Sequence, residues 1–569
     1  MAPSLRSLAR TSSLLFALAA CGQGAATSSA DAGVDADSGT APAADASSID
    51  CSVHAFQDVL IPMRDGKSLA AFVRAPTNPA CKVPVVLIQT PYNKENSRAL
   101  WFSSSSSQPL FASTDYAFVV VDLRGFFGST AARSTALTAA ADGYDAVEWA
   151  AAQSWSSGAV GTWGVSALGV QQYQTASAAP PHLKAAVPIF CQANSTYDLY
   201  YPGGVLRREY NDFLTTYFGS SGLVLQYPYD GPAWTYAAGL VKVSAMAVPM
   251  FVVAGWYDLN PKGSFDIFAQ LVASSSAGSE TRLLVGPWIH HATGGETAQG
   301  RVLDDDERQY LDNDRKIQRD SLAFFDRHLR GVAASPAASW AKVRFIAGGV
   351  AEGEEGASSW PPVTQARTLY LSSNQALADT APNVGSVSFP YDPNDPSPTT
   401  GGGTLLGSLH HGPTSQAPVL ARADQASFSS APLTQPLRIA GALSITLDVA
   451  NTGADTDIAV RLTDVDAAGT HRLIGEGIRR LKLLANPRTP TPVAAGQRVS
   501  VPVPLMGDLA YTFAAGHRVG LIVSNANYPR FDRNPNNGEN FLANGGTTPQ
   551  RITTTLFTDG ASRLVLPVR

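Results

Sequence analysis

Apolar residues arrive in short, nearly unbroken runs through the first half of the chain, and between the runs they fall at helical spacing. Residues 83–89, 116–122, 184–190, 249–255 and 281–286 contain too few polar positions to leave either face in water. Runs of that length and texture predict strands covered on both sides. The apolar spacing of residues 142–153 and 170–179 predicts helices, and 308–329 reads as one long amphipathic helix. Ahead of them, 54–62 and 68–74 alternate like strands around an Arg64-Asp65-Gly66 turn, the pattern of a hairpin. Strands alternating with helices predict a mostly parallel sheet, with ligands held beyond the carboxyl ends of its strands.

The alternation breaks twice. Residues 191–245 are rich in Tyr and Gly with helix-compatible segments, and read as a small cap inserted between 51–190 and 246–335. From 336 to 569 no long helical pattern remains. Short alternating runs at 444–449, 457–465, 498–504 and 519–524 predict an all-β sandwich or jelly roll. Residues 374–430, rich in Pro, Ser and Gly, read as a long connection.

One apolar run ends in chemistry. Gly158-Ala-Val-Gly-Thr-Trp-Gly-Val-Ser166 leads directly into the helical pattern, as a strand, sharp turn and helix would. Such a turn lifts a hydroxyl to the sheet edge and aims helix N-terminal amides at any oxyanion formed there. The second glycine of the usual Gly-x-Ser-x-Gly falls one residue late, at Gly169, with Leu168 in its place. A nucleophilic serine needs a base and an orienting acid. Asp258 and His290 each follow a strand run, and the order Ser166, Asp258, His290 is that of the α/β-hydrolases. His291 is the alternative base.

The amino terminus adds an address. Arg6 and Arg10 precede a short apolar run ending in Leu18-Ala-Ala-Cys21, a secretory leader over 1–20 with the pattern of a lipoprotein signal. Cys21 is then the lipidated residue, with plain cleavage and release as the alternative. Residues 21–50 are Ala, Ser, Gly and Asp with almost no bulky side chains, a tether about 30 Å long on average. This predicts a body exported and anchored by lipid alone, at the outer membrane where Gly22 follows the cysteine. Cys51 and Cys81 bracket the hairpin and can meet as a disulfide, while Cys191 reads as a buried thiol. A formal net charge of −5 excludes a nucleic-acid surface. No metal-ligand spacing or cofactor motif is present, and Asp304-Asp-Asp-Glu307 reads as a solvated helix start.

Several stretches together resemble the cocaine esterase and Xaa-Pro dipeptidyl-peptidase (CocE/NonD) family of serine hydrolases. They are Thr90-Pro-Tyr-Asn-Lys94, Gln153-Ser-Trp-Ser-Ser-Gly-Ala-Val-Gly161, Gly164-Val-Ser-Ala-Leu-Gly169, Gly255-Trp-Tyr-Asp258 and Gly286-Pro-Trp-Ile-His290. Asp455-Thr-Asp457 and Asn527-Tyr-Pro-Arg-Phe-Asp-Arg-Asn-Pro-Asn-Asn-Gly538 continue the match through the carboxyl-terminal part. The resemblance implies an α/β-hydrolase domain, a helical cap and a jelly roll of the galactose-binding-like kind. It also implies Ser166 as nucleophile, His290 as base, Asp258 as orienting acid, and an oxyanion hole from the Ala167 amide and the Tyr92 hydroxyl. Ala167 stands where the family usually has Tyr, and Leu259-Asn-Pro261 replaces the acidic residues with which one branch holds a substrate ammonium. Ester hydrolysis is therefore the leading expectation, with removal of Xaa-Pro dipeptides second. An amine anchor for the second would have to come from cap carboxylates such as Glu209, Asp212 or Asp230. The third expectation is a surface binding protein with an idle triad.

Overall fold

The computed structural model describes residues 50–102, 111–219, 222–291, 297–298, 301–312, 314–362, 364–539 and 547–569. The leader, Cys21 and nearly all of the tether lie outside the described residues.

The apolar runs become one sheet. β1 (His54–Pro62) and β2 (Ser68–Pro76) form the hairpin, closed by a turn in which Gly66 takes φ 79°. There follow β3 (Val83–Thr90), β4 (Ala117–Asp122), β5 (Ser156–Val165), β6 (Leu183–Ile189), β7 (Phe251–Tyr257) and β8 (Arg282–Ile289). Their spatial order is β1-β2-β4-β3-β5-β6-β7-β8, parallel from β4 onward. Alternate residues of β3 serve opposite faces: Val85 and Leu87 join one core, Val86 and Ile88 the other. Both cores are dry, which explains the continuity of the apolar residues 83–88 in sequence. Trp163, fully buried, anchors the second core edge-on to Trp101 and Phe111 at 5.4 and 4.9 Å. The chain goes from β3 to β4 on one side and to β5 on the other, so a crevice opens where β3 and β5 end.

Three expectations change. The sheet continues past residue 335: Val343–Ile346 pairs parallel with β8, and Glu354–Ala357 adds an antiparallel edge. The single helix expected over 308–329 is two pieces, Asp305–Arg308 and Lys316–Leu329. Arg315 takes a left-handed φ of 60°, and the Asp312 carboxylate accepts the Lys316 and Ile317 amides, so the second piece starts afresh there. The stretch 374–430 is no bare connection either, since it carries the strands Ala376–Ala378, Ser386–Tyr391 and Gln425–Ser430.

Residues 191–245 hold the short helices Tyr197–Tyr200, Arg208–Phe218, Gly222–Gln226 and Pro232–Ala238. They pack through a cluster of rings, with Tyr200 against Tyr210 at 5.5 Å and against Trp234 at 5.3 Å. Beyond residue 347 the described strands other than Glu354–Ala357 form a fourteen-stranded, mostly antiparallel sandwich that nearly closes on itself. Cys51 and Cys81 are joined as a disulfide that ties the entry to β1 to the residues before β3.

Candidate active site

Ser166 sits at the turn out of β5 with φ 60° and ψ −122°, a left-handed conformation for a residue other than glycine. The surroundings impose it. The Ser166 amide donates to Ile189 O at 2.9 Å, while its carbonyl accepts the Gly169 and Val170 amides as the first turn of Ala167–Ser177. The turn is tight enough that a β-carbon on Gly164 would stand 2.4 Å from that of Leu168. Strain of this kind is retained where it presents a functional group.

Register delivers the other two side chains. Gly255 pairs with Gly286 but Tyr257 with Ile289, so one extra residue is bulged into β8. The residues that follow, Asp258 and His290, therefore come side by side. His290 Nδ1 lies 2.5 Å from Asp258 Oδ1, and its Nε2 lies 3.0 Å from Ser166 Oγ. All three are buried, at 6%, 2% and 6% exposure for Ser166, Asp258 and His290. An imidazole held this way can take the hydroxyl proton while the carboxylate fixes its tautomer.

The structure brings His290, and not His291, to the serine. His291 turns away and packs edge-on to His411 at 5.3 Å, and burial pushes its pKa well below the usual range. Tyr92 lies two residues beyond the end of β3, in a loop pinned at both ends. Its amide donates to Thr90 Oγ1 at 3.0 Å and its carbonyl accepts from Asn96 Nδ2 at 2.8 Å. Asp122 accepts the Lys94 and Gly128 amides at 2.7 and 3.0 Å, and burial raises its pKa. In the sequence Asp122 is marked only as a lone carboxyl closing an apolar run. Ala167 opens the helix after Ser166, so its amide has no intrahelical acceptor.

The cap carboxylates are engaged. Glu209 is fully buried against Arg207 at 2.7 Å, Asp212 pairs with Arg208 at 2.7 Å, and Asp230 pairs with Arg488 at 3.3 Å. Asp304 and Glu307 form a reciprocal helix cap, with Glu307 also paired to Arg301.

A strained serine at a strand-to-helix turn, in line with a buried His–Asp pair on a doubly covered sheet, defines a serine hydrolase of the α/β-hydrolase class. Comparison with known proteins agrees. The X-Pro dipeptidyl-peptidase (S15 family) profile matches residues 65–222 and 218–292, and that of the X-Pro dipeptidyl-peptidase C-terminal non-catalytic domain matches 330–564. The cocaine esterase of Rhodococcus sp. (strain MB1 Bresler) is 29% identical over 86% of this chain and 94% of its own. Among solved structures, an α-amino acid ester hydrolase superposes with TM-score 0.77 at 22% identity, covering 93% of this chain and 98% of its own. A CocE/NonD family hydrolase from Staphylococcus aureus gives TM-score 0.65 at 21% identity, over 90% and 93% of the two chains. The chain belongs to the CocE/NonD family of serine hydrolases, with the S15 catalytic domain followed by the X-Pro dipeptidyl-peptidase C-terminal domain.

Proposed function

We propose that this protein is an exported esterase that cleaves carboxylic esters through an acyl-enzyme on Ser166. The Ser166–His290–Asp258 row carries the reading. His290 Nε2 takes the Oγ proton as the oxygen attacks the ester carbonyl, and Asp258 holds the resulting imidazolium. The tetrahedral oxyanion is held by the Ala167 amide and the Tyr92 hydroxyl, the latter a neutral, directed donor. His290 returns the proton to the departing alcohol. Water then repeats the sequence on the acyl-enzyme, releasing the acid and restoring Ser166.

Ester rather than peptide is favoured by the fate of the cap carboxylates. Glu209, Asp212 and Asp230 all spend their charge on arginines, and Leu259-Asn-Pro261 supplies none, so these positions offer no partner for a free amino terminus. One observation favours the second reading, release of Xaa-Pro dipeptides. The Asp198 carboxylate has no hydrogen bond or ion pair among the described residues and lines a cavity of about 650 Å³ between cap and β domain, with Tyr197, Trp234 and Arg479. Neither Ser166 nor His290 lines that cavity, so the ester reading leads. Export and a lipid anchor at Cys21 are supported by the leader pattern and by the Cys51–Cys81 disulfide, a bond that persists in oxidising compartments.

Turnover of a short-chain nitrophenyl ester and of an Ala-Pro nitroanilide tests the choice, with Ser166→Ala as blank. The ester alone is expected to turn over. Anilide cleavage at a comparable kcat/KM would give the peptidase reading the lead.

A further inference from the structure

Four charged side chains are buried behind Asp258: Arg207 and Glu209 at 0% exposure, Arg530 at 1% and Glu476 at 5%. Arg207 and Glu209 belong to the cap, while Glu476 and Arg530 belong to the β domain. Arg207 Nη2 pairs with Glu209 Oε1 at 2.7 Å, and its Nη1 donates to Leu259 O at 3.1 Å. Glu209 Oε2 accepts the Leu405 amide of the β domain at 3.3 Å, and the Glu209 amide donates to Arg530 O at 3.4 Å. Arg530 Nη1 lies 2.8 Å from Glu476 Oε1, whose other oxygen accepts from Asn527 Nδ2 at 2.6 Å. Asn527 and Arg530 open the longest motif in the carboxyl-terminal half, one the chemistry at Ser166 leaves unused.

The network ends on the acid's own backbone. Gly403, from the β domain, lies against the Asp258 carbonyl so closely that a β-carbon there would stand 2.0 Å from the oxygen. Two successive carbonyls, those of Asp258 and Leu259, are thus gripped from outside the catalytic sheet. By contrast, within its own loop the Asp258 carboxylate accepts only the Asn260 amide, at 3.4 Å. Buried ion pairs are poor sources of stability, because desolvation offsets most of their attraction, but they do fix geometry.

We infer that Arg207 and Gly403 are positioning residues for Asp258, which makes the β domain part of the catalytic assembly although it supplies no reacting group. The inference rests on the Ser166–His290–Asp258 reading. An error of about 1 Å in such a constellation can lower turnover on the order of 100-fold, so a held backbone matters.

A double-mutant cycle with Asp258→Asn tests it, using the full-length protein and a nitrophenyl ester. Arg207→Lys keeps the charge for Glu209 but cannot also span to Leu259 O. It is expected to lower kcat about 10-fold with KM within about twofold. In the Asp258→Asn background the same change should alter kcat less than about twofold, because there is no longer a placed carboxylate to lose. Gly403→Ala, made entirely within the β domain, should behave alike, and Glu209→Gln replaces whichever variant does not fold. Equal losses in both backgrounds, the mark of a merely structural role, would overturn the inference. So would wild-type kcat in Arg207→Lys. Ester turnover that survives Ser166→Ala would instead remove the triad reading itself, and that control separates the two failures.

Discussion

Gly169 lies flat against Cys191: a β-carbon on residue 169 would stand 2.3 Å from the thiol sulfur. This contact accounts for the displaced glycine of the serine turn. The helix after Ser166 approaches the strand end Ile189–Cys191 at position 169, not 168, and so position 169 is the one that must lack a side chain. Leu168 faces the aromatic core with Trp163, Phe190 and Trp288 and is 5% exposed.

Gly169→Ala is therefore expected to overpack the turn and to cost about 1–3 kcal/mol of stability, read as a lower Tm. Cys191→Ala in the same chain should restore part of the loss by removing the sulfur. Additive losses in the double variant would show that the contact is not the cause.

Tyr92→Phe keeps the ring and removes the donor. If the phenol holds the oxyanion, kcat should fall about 100- to 1,000-fold with little change in KM, measured with a nitrophenyl ester. Burst labelling by a fluorophosphonate should slow in parallel.

The paired rings of His291 and His411 set an acid limit on stability. Burial holds the pKa of His411 down to about 4 and that of His291 well below the usual 6.5, with the Glu307 carboxylate opposing the shift at His411. The folded protein thus binds fewer protons here than the unfolded chain. Stability from these rings is fully present above about pH 6.5 and is lost as pH falls toward about 4. Thermal unfolding followed across that window should show a falling Tm, and His411→Gln should flatten the slope relative to wild type.

Much of this was legible in the chain, for identifiable reasons. Residues 83–89 and 116–122 announced themselves as strands because both faces of β3 and β4 are dry. Ser166, Asp258 and His290 each stand at a strand end, where a polar residue interrupts an apolar run and is visible. What stayed hidden depends on contacts distant in sequence. Arg207 and Glu209 sit in a helical texture where charge reads as solvated, yet the β domain seals them from water. The break at Arg315 was invisible because Asp312 caps the helix through its side chain while the apolar spacing runs on. The bulge that aligns Asp258 with His290 has no sequence signature beyond the glycines of β7 and β8.

The most direct test of the central claim is covalent labelling. Purified wild-type protein treated with a fluorophosphonate and digested should carry the phosphonyl group on the peptide containing Ser166. Ser166→Ala should take up no label and retain no ester turnover above blank. Label on another serine, or full ester turnover in Ser166→Ala, would contradict the account.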